Sequence, residues 1–100
     1  MKKTLAVTLL LAGMTGAVAT AQATDNRARF MAANCGYCHG PAGKSRGAIP
    51  SLAGVDKKYF VDQMKAFRDG SRDATVMQKH AMGYSDAEFE ALGAWFAAVK

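Results

Sequence analysis

Two cysteines three positions apart, with a histidine directly after the second, are the residues of this chain best equipped for chemistry: Cys35-Gly36-Tyr37-Cys38-His39, followed by Gly40. On one helical turn, thiols at i and i+3 share a side, so both sulfurs reach the two vinyl groups along one edge of a porphyrin. The adjacent imidazole is then delivered to the iron. The five residues act as covalent clamp and axial ligand together, which is the spacing of c-type haem attachment. A redox Cys-x-x-Cys pair and half of a zinc site use the same two thiols. The rest of the chain supports neither: there is no second Cys-x-x-Cys, the only other histidine is His80, and no alternating pattern builds a thioredoxin-like sheet.

A haem clamp needs an exported chain and a domain to hold it. Met1-Lys2-Lys3 is a basic start, residues 5–19 are an apolar run, and Ala21-Gln22-Ala23 is an A-x-A cleavage site, the pattern of a signal peptide removed after Ala23. The apolar run is shorter than the ~20 residues of a spanning helix and is broken by Gly13, Thr15 and Gly16, which argues against a membrane anchor. The expected organisation is residues 1–23 as signal peptide and 24–100 as one monohaem domain in the periplasm. Without its first 23 residues the 100-residue chain keeps 77. A domain of that size buries only roughly 60% of its unfolded surface, and a covalently held haem supplies the missing apolar mass.

Removal of Lys2 and Lys3 leaves 11 basic and 8 acidic residues, a formal balance of +3 that two haem propionates bring close to neutral. There is no Arg/Lys run and no interleaving of basic with aromatic residues, so nucleic acid is excluded as a partner. Lys44, Arg46, Arg72 and Lys79 fall in segments expected beside the haem, as steering charges for a partner with an acidic rim or as ordinary solvated charges.

The elements that position the clamp read as helices. Ala28, Met31 and Ala32 recur at helical spacing between Asn26 and Asn34, with Phe30 beside them and Asp25 or Thr24 as cap. Residues 40–54 hold four glycines and both prolines, Pro41 and Pro50, and form a loop that wraps one face of the haem. Phe60, Met64 and Phe67, with Val61 adjacent, give residues 57–69 an apolar face between Asp56 as cap and Gly70 as stop. Lys57, Lys58, Lys65 and Arg68 are expected to face water. Residues 70–84 have no clean period and read as a second long loop. Ser85-Asp86-Ala87-Glu88 has the form of a capping box ahead of Phe89, Leu92, Phe96 and Val99, with Trp95 beside that face. The fold class is all-α: three to four helices around one haem, with the first and last helices packed together.

The second axial ligand lies elsewhere in the chain, and Met64, Met77, Met82 and His80 are its candidates. Met64 shares the apolar stripe with Phe60 and Phe67 and reads as core. Met77 and Met82 both lie in the irregular second segment, and spacing alone does not choose between them.

From Cys35 to Ala97 the chain resembles the small bacterial class I cytochromes c. The resemblance rests on four motifs in order: Cys35-Gly36-Tyr37-Cys38-His39-Gly40, Ile49-Pro50-Ser51-Leu52-Ala53-Gly54, the run from Gln63 to Arg72, and Met77 seven residues before Tyr84-Ser85-Asp86. It departs from the family pattern at Tyr84, where leucine is usual. The resemblance implies haem c bound through Cys35 and Cys38, iron ligated by His39 and Met77, and a Pro50 carbonyl that accepts a hydrogen bond from the ligand histidine. More narrowly, the run from Pro50 to Asp86 is similar to the cytochrome subunits of flavocytochrome c sulfide dehydrogenases, which implies a FAD-containing flavoprotein partner that oxidises sulfide.

Iron held by imidazole and thioether has no open position for substrate, so the expected activity is single-electron transfer rather than catalysis. A diffusible carrier and a subunit of a flavin-containing sulfide dehydrogenase are the two versions of that role. A haem sensor or peroxidase would need a labile sixth ligand, and a haem-free thiol oxidoreductase would show no added mass on the peptide containing Cys35 and Cys38.

Overall fold

The computed structural model describes residues 15–100, with side chains from residue 26 onward. The start of the expected signal peptide, residues 1–14, lies outside the described residues. Four α-helices and one short 3-10 turn make up the described chain: α1 (Thr15–His39), the turn Pro41–Gly43, α2 (Lys57–Asp69), α3 (Met77–Ala81) and α4 (Asp86–Ala97). No strand occurs among the described residues, in agreement with the expected all-α class.

α1 differs from expectation at its start. A helix capped at Thr24 or Asp25 was expected, whereas the observed helix runs through both positions from Thr15. The stretch from Ala17 to Ala23 is rich in alanine, the best helix former, and holds neither glycine nor proline, so nothing in it stops the helix. Downstream, Ala28 and Ala32 are buried and Met31 is half-buried, as their spacing predicts, while Phe30 points outward with 71% of its surface exposed.

α2 begins and ends where its caps place it. The Asp56 carboxylate accepts a hydrogen bond from the Tyr59 amide at 2.9 Å, and Gly70 closes the helix at φ 82°, where a side chain would be strained. Its buried face is Phe60, Val61 and Met64. α4 opens on a complete capping box: the Glu88 amide donates to Ser85 Oγ at 3.2 Å and the Ser85 amide donates to Glu88 Oε1 at 3.0 Å. Phe89, Leu92 and Phe96 are fully buried, and Val99 lies just past the helix end.

These faces meet in one core. Phe60 of α2 and Phe96 of α4 stack at 5.8 Å between ring centres, and a Cβ at Gly93 would stand only 3.2 Å from Phe60 and Lys57, so the glycine lets α2 and α4 approach. α1 crosses α4 through Ala32, as expected of the first and last helices, and an Arg27–Glu88 ion pair at 3.0 Å ties their exposed edges. α3 is the main departure within the core region. A loop was expected over residues 70–84, and a single helical turn with Ala81 fully buried sits inside it. Five residues are too few for a 3.6-residue period to show in a sequence.

Candidate functional site

The last turn of α1 carries Cys35, Cys38 and His39, and His39 is the final helical residue. The helix stops there for a steric reason. Gly40 takes φ 89°, and a Cβ at that position would lie 2.0 Å from the Lys44 carbonyl oxygen. The chain therefore turns away directly after the histidine, through Pro41, into the loop of residues 40–54.

Both cysteines are free thiols; Cys35 is half-buried against the core and Cys38 is exposed. Burial pushes the Cys35 thiol above its ordinary pKa, with a backbone hydrogen bond opposing the shift. The pair also stands at the negative, C-terminal end of α1, whereas reactive redox thiols are stabilised as thiolates at helix N-termini. A protonated, apolar-facing thiol suits bonding to an apolar vinyl edge better than thiol–disulfide exchange. Among the described residues no group of three or more His, Cys, Asp and Glu side chains gathers to hold a metal ion, which gives the pair no partners for a zinc cage.

His39 is buried, and its Nδ1 lies 2.7 Å from the Pro50 carbonyl oxygen. A carbonyl only accepts, so Nδ1 carries the proton and donates, which leaves Nε2 with a free lone pair on the far side of the ring. Pro50 is held in turn by its loop. The Leu52 and Ala53 amides donate to the Gly43 carbonyl at 2.8 and 3.1 Å, the Ser45 amide donates to Ser51 Oγ at 2.9 Å, and the Gly54 amide donates to Phe96 of α4 at 2.8 Å. The loop is thus pinched at its base and fastened to the core, with the Pro50 carbonyl aimed at the imidazole.

Of the four sulfur or imidazole candidates for a second ligand, Met64 is 7% exposed among Phe60, Val61 and their neighbours, spent as core. Met77 is the first residue of α3, half-buried against the same cluster on which Cys35 packs. Met82 caps the other end of α3 and is 65% exposed, and His80 is exposed. The structure therefore packs Cys35 and Met77 against one core cluster, pairs His39 with the Pro50 carbonyl, and leaves Met82 and His80 exposed.

Two of the lysine and arginine assignments are corrected. Lys65 and Arg68 were expected to face water, but both are half-buried and turn toward Asp86 at the start of α4. Arg68 also donates to the Tyr84 carbonyl at 3.2 Å and lies 4.9 Å over the Phe89 ring. An arginine in the last turn before a glycine looks solvated in sequence, because its acceptors lie 16 and 18 positions away. Gly36 and Tyr37 of α1 line a groove of about 440 Å³ with Pro41, Ala42 and Trp95. None of Cys35, His39 or Met77 contributes to it.

Comparison with known proteins identifies the family. Residues 23–100 match the family described as Cytochrome c. The chain is 34% identical to the cytochrome subunit of sulfide dehydrogenase from Chlorobaculum tepidum, over 91% of this chain and 90% of that protein. It is 37% identical to cytochrome c4 of Pseudomonas aeruginosa, over its whole length and 50% of that protein, so it spans about half of that relative. It is 38% identical to the thiosulfate dehydrogenase electron acceptor of Thiomonas intermedia, over 69% of this chain and 33% of that protein. With a free cysteine pair at the right spacing, an oriented histidine beside it and a family match across the folded region, the chain belongs to the cytochrome c family and carries covalently attached haem c for electron transfer.

Proposed function

We propose that the chain is an exported single-electron carrier of the periplasm, that its mature form is residues 24–100, and that His39 and Met77 are the residues that would hold the haem iron. The observation that carries the ligand reading is the 2.7 Å contact between His39 Nδ1 and the Pro50 carbonyl. It fixes the tautomer and ring plane, and the anionic character lent by the carbonyl raises the basicity of Nε2. Met77 is the methionine whose position is anchored to the core without being consumed by it. When bound, the haem supplies a one-electron couple. The residues around it supply an apolar setting and two fixed ligands of different softness. The thioether and the burial both favour the reduced iron, and neither ligand leaves a position for substrate.

The electron donor we propose is a flavoprotein that oxidises sulfide. Support comes from the relative in Chlorobaculum tepidum, a cytochrome subunit of sulfide dehydrogenase that matches over 91% of this chain and 90% of its own length. No helix among the described residues is long and apolar enough to cross a membrane. Purification from the native source without denaturant, followed by one visible spectrum, tests the partnership. Haem bands with a flavin shoulder, and bleaching of that flavin by sulfide ahead of haem reduction, are expected. Haem bands alone, in a particle of single-chain mass, would assign the chain as a diffusible carrier instead.

A further inference from the structure

The segment that carries Met77 has little of its own to hold it in place. Residues 70–76 are all exposed, α3 is one turn long, and no side chain caps it at Val76. Beyond the buried Ala81 and the packing of Met77 on the core, two arginines restrain it: Arg72 within the segment and Arg68 in the last turn of α2. At the upstream end the Arg72 amide donates to the Ala66 carbonyl at 3.1 Å, its guanidinium donates to Gln63 Oε1 at 2.6 Å, and the same group lies 4.5 Å over the Phe67 ring. That end is folded back on its own helix. At the downstream end Arg68 crosses from the last turn of α2 to the Tyr84 carbonyl, where the segment finishes, and to the Asp86 carboxylate in the first turn of α4.

Three features make Arg68 a closure rather than a surface pair. Its side chain is 32% exposed, less than half as open as Arg27, at 71%, in its surface ion pair with Glu88. It serves a carbonyl, a carboxylate and an aromatic face at once, which a planar guanidinium does and an ammonium does not. It also matches both dipoles it joins, a cation at the C-terminal end of α2 and an anion at the N-terminal end of α4. The two ends of the Met77 segment are therefore locked to each other through one side chain, which offsets the entropy of closing that loop.

We propose that Arg68 is a positioning residue for Met77: by fastening Tyr84 and Asp86 to α2 it holds the thioether in place and keeps the haem's second axial position closed. This rests on the reading of Met77 as that ligand. Removal of the guanidinium lets the segment open locally and uncovers one face of the Phe89 ring, while the packing of α1, α2 and α4 through Ala32, Phe60, Val61, Met64, Leu92 and Phe96 persists.

The test compares the holoprotein with Arg68→Ala, Arg68→Lys and Asp86→Asn, with cyanide association to the ferric form and amide hydrogen exchange as readouts. In Arg68→Ala, cyanide association and exchange at Met82, Gly83 and Tyr84 are both expected to rise by roughly tenfold or more, the scale of losing charge-assisted bonds at a partly screened site. Protection at Phe89, Leu92 and Phe96 is expected to stay at the wild-type level. Arg68→Lys falls nearer to alanine than to wild type, because the fork is lost, and Asp86→Asn shows a smaller rise because the Tyr84 bond remains. Unchanged cyanide and exchange rates in Arg68→Ala overturn the proposal, as does a parallel loss of protection in all helices. If Met77→Ala leaves cyanide kinetics unaltered, the ligand reading fails by itself, and the exchange data still show whether Arg68 holds the segment.

Discussion

At the scale of single residues, the chemistry depends on how α1 ends. Gly40 lets the chain leave the helix one residue after His39, and alanine there would drive a Cβ into the Lys44 carbonyl. Gly40→Ala is therefore expected to cut the yield of covalently haem-bearing chain several-fold, read as haem absorbance per polypeptide; a wild-type yield would show that the turn relaxes. The two cysteines differ as well. Burial raises the Cys35 thiol above its usual pKa, so at neutral pH it holds less thiolate than an exposed thiol and gains reactivity only as pH rises. Iodoacetamide should label the exposed Cys38 before Cys35 in haem-free protein, and equal rates would mean that this helix end forms only with haem attached. The cysteine pair and its histidine were legible in sequence because covalent attachment imposes a fixed spacing along one chain. The Arg68 closure was not, because a guanidinium acquires its meaning from acceptors brought near by folding.

At the scale of elements, the helices that announce themselves do so through caps. The Asp56 and Ser85 side chains sit where their types predict, and each satisfies an amide that the helix start would otherwise leave unpaired. Ser85→Ala is expected to lower stability by about 1 kcal/mol, which for a domain of this size is roughly 4–8 °C in the thermal midpoint. No shift in the midpoint would mean that the Arg27–Glu88 pair fastens the start of α4 without the cap. Asp86 is held below the usual carboxylate range by the Arg68 hydrogen bond, and Glu88 by its bond from the Ser85 amide and then by Arg27. Both groups bind fewer protons folded than unfolded. Their contribution is thus complete at neutral pH and fades as pH falls below roughly 4. Arg68→Ala should flatten that acid-side loss in a series of melts from pH 7 downward, and an unchanged slope would count against the pair. α1 and α3 were the elements misread. The first extends into an alanine-rich stretch with no stop signal, and the second is a single turn held by tertiary contacts with Ala81 buried, which no local pattern encodes.

At the scale of the whole molecule, the folded region is a three-helix frame whose loops, residues 40–54 and 70–84, supply what the haem needs. One loop orients the imidazole through Pro50, and in the proposed ligation the other would deliver Met77. The cations in those loops are not equivalent. Arg72 is tied to Gln63 and Phe67, whereas Lys44, Arg46 and Lys79 are exposed. Charge reversal at those three should slow electron uptake from an acidic-rimmed partner at low salt. The difference should vanish near 1 M salt, where charges are screened beyond ~3 Å; equal rates at low salt would show that these charges do not steer. Whether Met77 completes the coordination begun by His39 is read from far-red absorption of the ferric protein. A thioether-to-iron charge-transfer band is expected in the wild type, retained in Met82→Ala and His80→Ala and absent in Met77→Ala. A band that survives in Met77→Ala, or that disappears in Met82→Ala, would contradict Met77 as the ligand.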